Sequence, residues 1–326
     1  MIRVLIIGCG NIAGGFDEAR PFSSHPLTHA GAYREHGSFQ LLACVEPNAT
    51  RRAEFMRHWG IHRGFATAEE AFNSGERFDV VSICSPTNQH YEHLLACADS
   101  GVSLVFCEKP ICPTVAEAEV ALECLKQRGV LVAVNHNRRW DPFVASLKNE
   151  ICSGVWGELR CITGHYNKGI LNNGSHMVDL LESLAGPIKL LHVGPVRNDY
   201  LDSDSSIPAM LLAGGNVPVV LNCGQAPDYT LFELHLVLEK GVIAMEEGGM
   251  RWRFRPRVPS SDFAGYTTLA EGYSRPGRYT EAMKRAVENI HGAINVGAAL
   301  SSTGETALEA QRLCALILDR ARLLNK

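Results

Sequence analysis

Glu108-Lys109-Pro110 closes the apolar run Val102–Cys107. A β-rich run that ends in a charged pair puts ionisable groups at the carboxyl end of a buried strand. Open parallel sheets bind their ligands there. A lysine at such a place can do acid–base chemistry, because partial desolvation pulls an ammonium below its usual pKa of about 10.4. Taken alone, the tripeptide also fits a surface strand end before a helix, since Pro suits a first helical turn. The rest of the chain decides between the two.

Gly8-Cys9-Gly10-Asn11-Ile12-Ala13 follows the first apolar run directly and fits G-x-G-x-x-G/A. The first glycine permits a tight turn, and the second lets backbone approach a pyrophosphate. The small Ala13 lets the helix pack close to the sheet, with its N-terminus facing the negative charge. Glu46 follows the second apolar run and is placed to accept hydrogen bonds from ribose hydroxyls. A carboxylate there favours NAD over NADP, while Arg51 and Arg52 leave NADP open. Glu46 lies farther from the glycines than the usual ~20 residues. The excess is Gly14–Thr28, an insertion before a helical pattern resumes at His29.

Three further segments carry polar groups at element ends. Ser85-Pro86-Thr87 with His90 follows Val80–Cys84, and Asn137-Arg138-Arg139 follows Val130–Val134. Asn172-Asn173-Gly174-Ser175-His176 with Asp179 opens a helix that Ser175 or Asn173 can cap. His176 and Asp179 lie three apart and share a helix face. Tyr166 and Lys168 lie just before this segment, where they can contact a substrate or simply end a strand.

The elements that must position these groups alternate over the first ~135 residues, the pattern of a doubly wound parallel sheet. Strands are expected at Arg3–Ile7, Leu41–Val45, Gly64–Ala66, Val80–Cys84, Val102–Cys107 and Val130–Val134. Helices are expected at Thr50–Trp59, Ala68–Phe72, His90–Asp99 and Val115–Arg128. Beyond a boundary near Asn135–Asp141 come a helix over Pro142–Cys152 and a strand over Glu158–His165. The helix at Ser175–Leu184 is followed by strands with one buried and one wet face. Arg251-Trp252-Arg253-Phe254-Arg255 is one of these. Val258–Gly277 reads as a loop, and helices close the chain over Tyr279–His291 and Thr303–Leu324. The fold class is therefore α/β, with domains over 1–135 and 136–326, the last helix being free to pack back on the first.

Composition narrows the function further. The chain has 326 residues, 46% hydrophobic and 20% charged, with a net charge of -4 and mixed signs. No basic stripe marks a nucleic-acid partner, and no apolar run reaches the ~20 residues of a membrane span. Eleven cysteines, several inside strand-like runs, without a Cys-x-x-Cys pair, argue against a disulfide scaffold or zinc ribbon. A reducing cytoplasm follows.

In their order along the chain, these motifs resemble the Gfo/Idh/MocA oxidoreductase family, the glucose–fructose oxidoreductase and inositol dehydrogenase group. The resemblance implies a Rossmann domain holding NAD or NADP and a second α/β domain with a large open, mostly antiparallel sheet that shapes the substrate cleft. It also implies homodimers or homotetramers and a sugar, polyol or nucleotide-sugar substrate. Cofactor contacts would come from Gly8, Gly10, Asn11, Ile12, Ala13, Glu46, Ser85, Pro86, Thr87, His90, Glu108, Lys109 and Asn137. Lys109, Arg138, Tyr166, Asn172 and His176 would face substrate, with Lys109, His176 and Asn172 at the chemistry and no metal. Many members carry Asp where this chain has Asn172, which shifts acid–base work onto Lys109 and His176. The alternatives are a non-catalytic dinucleotide sensor and an NAD-assisted lyase or glycosidase.

Overall fold

The apolar runs that end in Gly8, Glu46, Ser85 and Glu108 are strands of one parallel sheet. They are β1 (Ile2–Ile7), β2 (Phe39–Val45), β4 (Val80–Ile83) and β5 (Leu104–Cys107), with β3 (Arg63–Phe65) and β6 (Leu131–Val134) at the edges. The order is β3-β2-β1-β4-β5-β6, every neighbouring pair parallel. This is the Rossmann order, and parallel pairing puts every strand's carboxyl end on one edge. The computed structural model describes residues 1–21 and 24–324.

Both faces of this sheet are covered, so its central strands are mostly apolar rather than alternating. Val4 and Ile6 pack with α1 (His29–His36) and α2 (Ala49–Trp59). Leu5 and Ile7 pack with α3 (Ala68–Phe72), α4 (His90–Ala98) and α5 (Val115–Gln127). Helix starts follow capping chemistry: Thr28 accepts from Gly31 N, Asn48 from Arg51 N, and Thr114 with Glu117 forms a capping box.

The chain divides into two compact units. The first holds Met1–Trp140 and Thr280–Leu308, the second Asp141–Tyr279 and the stretch from Glu309 onward. The helix over Ala282–Val296 thus belongs to the first unit, not to the second domain as its place in the sequence suggested. Met283, Val287 and Ile290 share the core of α1, and Lys284 pairs with Glu35 at 2.7 Å.

The second unit contains α6 (Pro142–Cys152), β7 (Leu159–Tyr166), α7 (Ser175–Ala185) and β8 (Lys189–Val193). A two-stranded hairpin follows, β9 (Arg197–Leu201) and β10 (Asp204–Ser206). Then come β11 (Ala209–Ala213), β12 (Val217–Cys223), β13 (Phe232–Leu238), β14 (Gly241–Glu246), β15 (Arg251–Pro259), β16 (Thr267–Leu269) and β17 (Tyr273–Pro276). With α8 the Ala282–Val296 helix, α9 (Gly304–Leu324) closes the chain. The large sheet runs β16-β15-β14-β13-β7-β12-β11-β8, with β17 paired to β15; only β7 and β12 pair in parallel. One face packs on α6, α7 and α9 through Ile162, Leu221, Leu234 and Trp252. The other leaves Met210, Val220 and Val237 exposed.

Two segments differ from expectation. β16 and β17 fall inside the stretch read as a loop, because backbone pairing to β15 holds strands whose Ser, Gly and Pro content reads as coil. The β9–β10 hairpin was not foreseen either. Among the described residues no helix is long and apolar enough to cross a membrane.

Candidate functional site

The turn after β1 shows why its glycines are needed. Gly8 has φ +90°, and a Cβ there would lie 2.7 Å from Ser85 N. A Cβ on Gly10 would meet nothing within 4 Å, so this backbone faces open space that a phosphate can approach. Asn11 is exposed, Ile12 half-buried and Ala13 fully buried. The first helix is interrupted here: His29 N bonds to Ile12 O at 3.2 Å and Ala30 N to Ala13 O at 2.9 Å. The backbone pairing therefore passes from Ile12–Ala13 to His29–Ala30, and the described residues between them form a loop outside it. Phe22 and Ser23 of that loop lie outside the described residues. Asp17 pins its base, accepting from Leu27 N, Thr28 N and the Thr28 hydroxyl. Omitting the loop restores the ordinary interval between the glycines and Glu46.

The Glu46 carboxylate accepts from Cys9 N at 3.2 Å and Asn48 N at 3.1 Å. Arg51 stands 4.0 Å from it, and the Arg52 guanidinium donates to the Glu46 carbonyl. Beside it lies a cavity of about 530 Å³ lined by Gly8, Glu46, Arg51, Ser85, Pro86 and His93. Ser85 Oγ and His93 Nδ1 are 3.0 Å apart, and burial followed by the charge of His90 pushes His93 down to about 4. Pro86 is exposed and Thr87 half-buried on the short helical turn that follows. The open backbone at Gly10, the ribose-side carboxylate and this cavity fit the adenosine and phosphate portions of a dinucleotide.

His90 is a correction to the expected cofactor contacts. It is 1% exposed, its Nε2 faces Ser85 O at 2.8 Å, and its Nδ1 faces Pro110 O at 2.9 Å. The ring ties the loop after β4 to the loop after β5 and presents no edge to a ligand. Lys109 is half-buried, and its peptide to Pro110 is cis.

Around Glu108 the structure gathers His29, Ser82, Tyr33 and Asn135, which the sequence does not single out. Glu108 Oε1 lies 3.0 Å from His29 Nε2 and 2.6 Å from Asn135 Nδ2. His29 Nδ1 lies 3.2 Å from Ser82 Oγ, which is 2.9 Å from the Tyr33 hydroxyl. Burial pushes the Glu108 carboxyl up, but hydrogen bonding from His29 and Asn135 and the Lys109 charge outweigh it and hold the group below its ordinary value. One signal was legible: Ser82 is a polar residue inside the otherwise apolar run Val80–Cys84. Asn137 is half-buried and Arg138 9% exposed on the short turn Asn137–Trp140, anchored by Trp140 Nε1 to Asn289 Oδ1 at 3.0 Å.

In the second unit, Asn172 and His176 are half-buried on a turn that enters α7 through a π-helix, Gly169–Gly174. Neither Ser175 nor Asn173 caps α7, because the helix continues from that turn; Ser175 Oγ donates to Asn172 O instead. The turn is held by the unforeseen hairpin. Asp204 accepts from Leu171 N at 2.8 Å and Asn172 N at 2.9 Å. Asp199 accepts from Lys168 N at 2.9 Å, and Ser206 Oγ from Gly169 N at 2.9 Å. Gly169 is required, since φ is +84° and a Cβ would lie 2.1 Å from Asp204 Oδ2.

Tyr166 is the second correction. It is fully buried, and its hydroxyl both donates to Ile207 O and accepts from Ile207 N at 2.9 Å. It cannot face a substrate. Lys109 belongs to the first unit, and Asn172 and His176 to the second.

A parallel sheet in Rossmann order, an open glycine turn and a carboxylate at the end of β2 are the features of a dinucleotide-binding fold. Residues 2–136 match the model of the oxidoreductase family Gfo/Idh/MocA, NAD-binding Rossmann fold. The chain is 25% identical over 308 residues to the scyllo-inositol 2-dehydrogenase (NADP(+)) IolW of Bacillus subtilis, spanning 80% of this chain and 83% of that one. It is 26% identical over 272 residues to an inositol 2-dehydrogenase of Rhizobium meliloti, spanning 75% and 78%. The whole-chain fold matches levoglucosan dehydrogenase complexed with NADH at TM-score 0.80, with 17% identity and coverage of 98% and 97%. It also matches the Bordetella pertussis WlbA dehydrogenase, complexed with NADH and UDP-GlcNAcA, at TM-score 0.78, with 18% identity and coverage of 98% and 96%.

Proposed function

We propose that the protein is an NAD(P)-dependent dehydrogenase acting on a secondary hydroxyl of a sugar, polyol or nucleotide sugar. The observation that carries this reading is Lys109 at the carboxyl end of β5, on the sheet edge that holds Gly8, Gly10 and Glu46. When bound, nicotinamide accepts or returns the hydride, and that chemistry belongs to the cofactor. The protein's part is the proton. Lys109 Nζ takes the hydroxyl proton on oxidation, and as ammonium it polarises the carbonyl in the reverse direction. In the second unit, His176 and the Asn172 amide are the groups assigned to hydrogen-bonding substrate hydroxyls, the amide without acting as a base. Glu46 accepts from the ribose hydroxyls, which favours NAD.

The exposed row Met210, Val220 and Val237 is the face by which copies of the chain would associate as a homo-oligomer. The buried thiols Cys9, Cys44, Cys84, Cys97 and Cys107 suit a reducing cytoplasm. The test is Lys109→Ala, assayed by cofactor reduction against a panel of polyols, aldoses and nucleotide sugars. Turnover on the accepted substrate should fall about 10³-fold, with NAD binding by calorimetry retained. Full activity in the variant would remove Lys109 from the chemistry. Tight NAD retention with product formed and no net reduction would point to a lyase instead.

A further inference from the structure

The polar chain that ends on Glu108 is out of place in a core whose other fully buried strand residues are apolar. His29 is completely buried and stacks on Phe106 with ring centroids 4.2 Å apart. Ser82 is likewise completely buried, as is Tyr33. Buried polar groups cost stability unless each finds a partner. Here one assignment of protons gives Tyr33, Ser82 and His29 each a partner. Tyr33 donates to Ser82, Ser82 donates to His29 Nδ1, and His29 Nε2 donates to Glu108 Oε1. Asn135 adds a second donor to the same oxygen. The chain thus ends on the carboxylate of the residue that precedes Lys109.

We propose that His29 is a positioning residue for Lys109: by donating to Glu108 it fixes where that negative charge lies and how strongly it holds the lysine's proton. The proposal rests on the acid–base reading of Lys109. A carboxylate beside an ammonium favours the charged lysine. Donors on the far side of the carboxylate draw its charge away, so Lys109 releases its proton more readily. Of the described titratable groups packed around Glu108, several carry no competing charge. Cys84 on β4 and Cys107 on β5 are thiols that burial pushes well above their ordinary value, and so stay uncharged. Tyr33 on α1 is pushed up by burial. His90 on α4 faces the Pro110 and Ile111 carbonyls, with Cys107 Sγ at 3.7 Å.

The experiment uses the full chain without cofactor. Trace acetic anhydride acetylates only neutral amines, so the pH dependence of Lys109 labelling, read by peptide mass spectrometry, gives its titration midpoint. His29→Leu should raise that midpoint by about one pH unit, a tenfold loss of neutral amine at a given pH below it. Glu108→Gln should move it the other way, and His29→Gln, which keeps an N–H donor, should return most of the shift. The melting temperature reports whether each variant is folded. A folded His29→Leu with an unchanged or lowered midpoint overturns the proposal. Should that variant not fold, Glu108→Gln decides, because an unchanged midpoint there means the carboxylate has no hold on Lys109. Activity surviving Lys109→Ala would instead remove the acid–base reading and leave the labelling shift standing.

Discussion

The two units present their polar groups by opposite means. In the first, Lys109 and Glu108 stand at the end of a strand buried on both faces, and regular parallel pairing brings them to the edge that carries Gly8, Glu46 and Ser85. In the second, Asn172 and His176 sit on a π-helical turn that ordinary helix geometry does not supply. That turn is held from outside by the Asp204 and Asp199 carboxylates. The difference teaches where precision comes from. A sheet edge inherits it from the core, whereas an irregular turn needs dedicated hydrogen bonds from a separate element.

Breaking the first arrangement should have the largest effect. Gly8→Ala forces a Cβ into the Ser85 backbone at a positive φ, a strain of about 1–3 kcal/mol before the contact is counted. NAD affinity by calorimetry should fall well over tenfold. An unchanged affinity would show that the turn does not carry the cofactor.

Asp204→Ala tests the second arrangement. It removes two hydrogen bonds to a charged acceptor, each worth about 1.5–3 kcal/mol. We expect kcat/KM to fall about 10²-fold through misplacement of Asn172 and His176, with NAD affinity unchanged. Equal losses of NAD binding and turnover would mean that the two units are not separable in this way.

Glu46→Ala sharpens the comparison within the first unit. It should shift the ratio of NAD to NADP affinity toward NADP by about tenfold, or about 1.4 kcal/mol, measured by titration with each cofactor. The smallest effect lies at the opposite edge of the same sheet. There Asp79 accepts from Arg3 N, Nε and a terminal guanidinium nitrogen at 2.8–3.0 Å, and the Arg3 hydrogen bond holds its carboxyl below the ordinary value. A depressed carboxyl adds stability above its unfolded pKa of about 3.9, and that stability is lost as pH falls through the folded value. Asp79→Asn should therefore flatten the fall of melting temperature below about pH 4. The pair is partly exposed and solvent-screened, so the change should stay under about 1 kcal/mol, with activity at neutral pH unaffected.

What could be read in advance follows from the same contrast. Gly8, Gly10, Ala13 and Glu46 are legible because strand, turn and helix follow one another locally, and each residue type answers a local demand of the backbone. The place of Lys109 just past the end of β5 is legible because the strand before it is continuous and apolar. His90 was misassigned because a polar residue beside a cofactor turn looks the same in sequence whether its ring faces a ligand or two carbonyls. Tyr166 was misassigned likewise, since nothing local foretells that Ile207, far along the chain, engages its hydroxyl.

By itself the sequence determined the parallel sheet, the order of its strands' polar ends and the dinucleotide turn, since hydrophobic period and glycine placement are local properties. Only the tertiary structure decided that His29, where the sequence already resumes its helix, brings its imidazole to Glu108. It also decided that the β9–β10 hairpin clamps the turn bearing Asn172, and that the Ala282–Val296 helix joins the first unit. Each of these depends on contacts between segments distant in sequence, whose partners only folding brings within hydrogen-bond range.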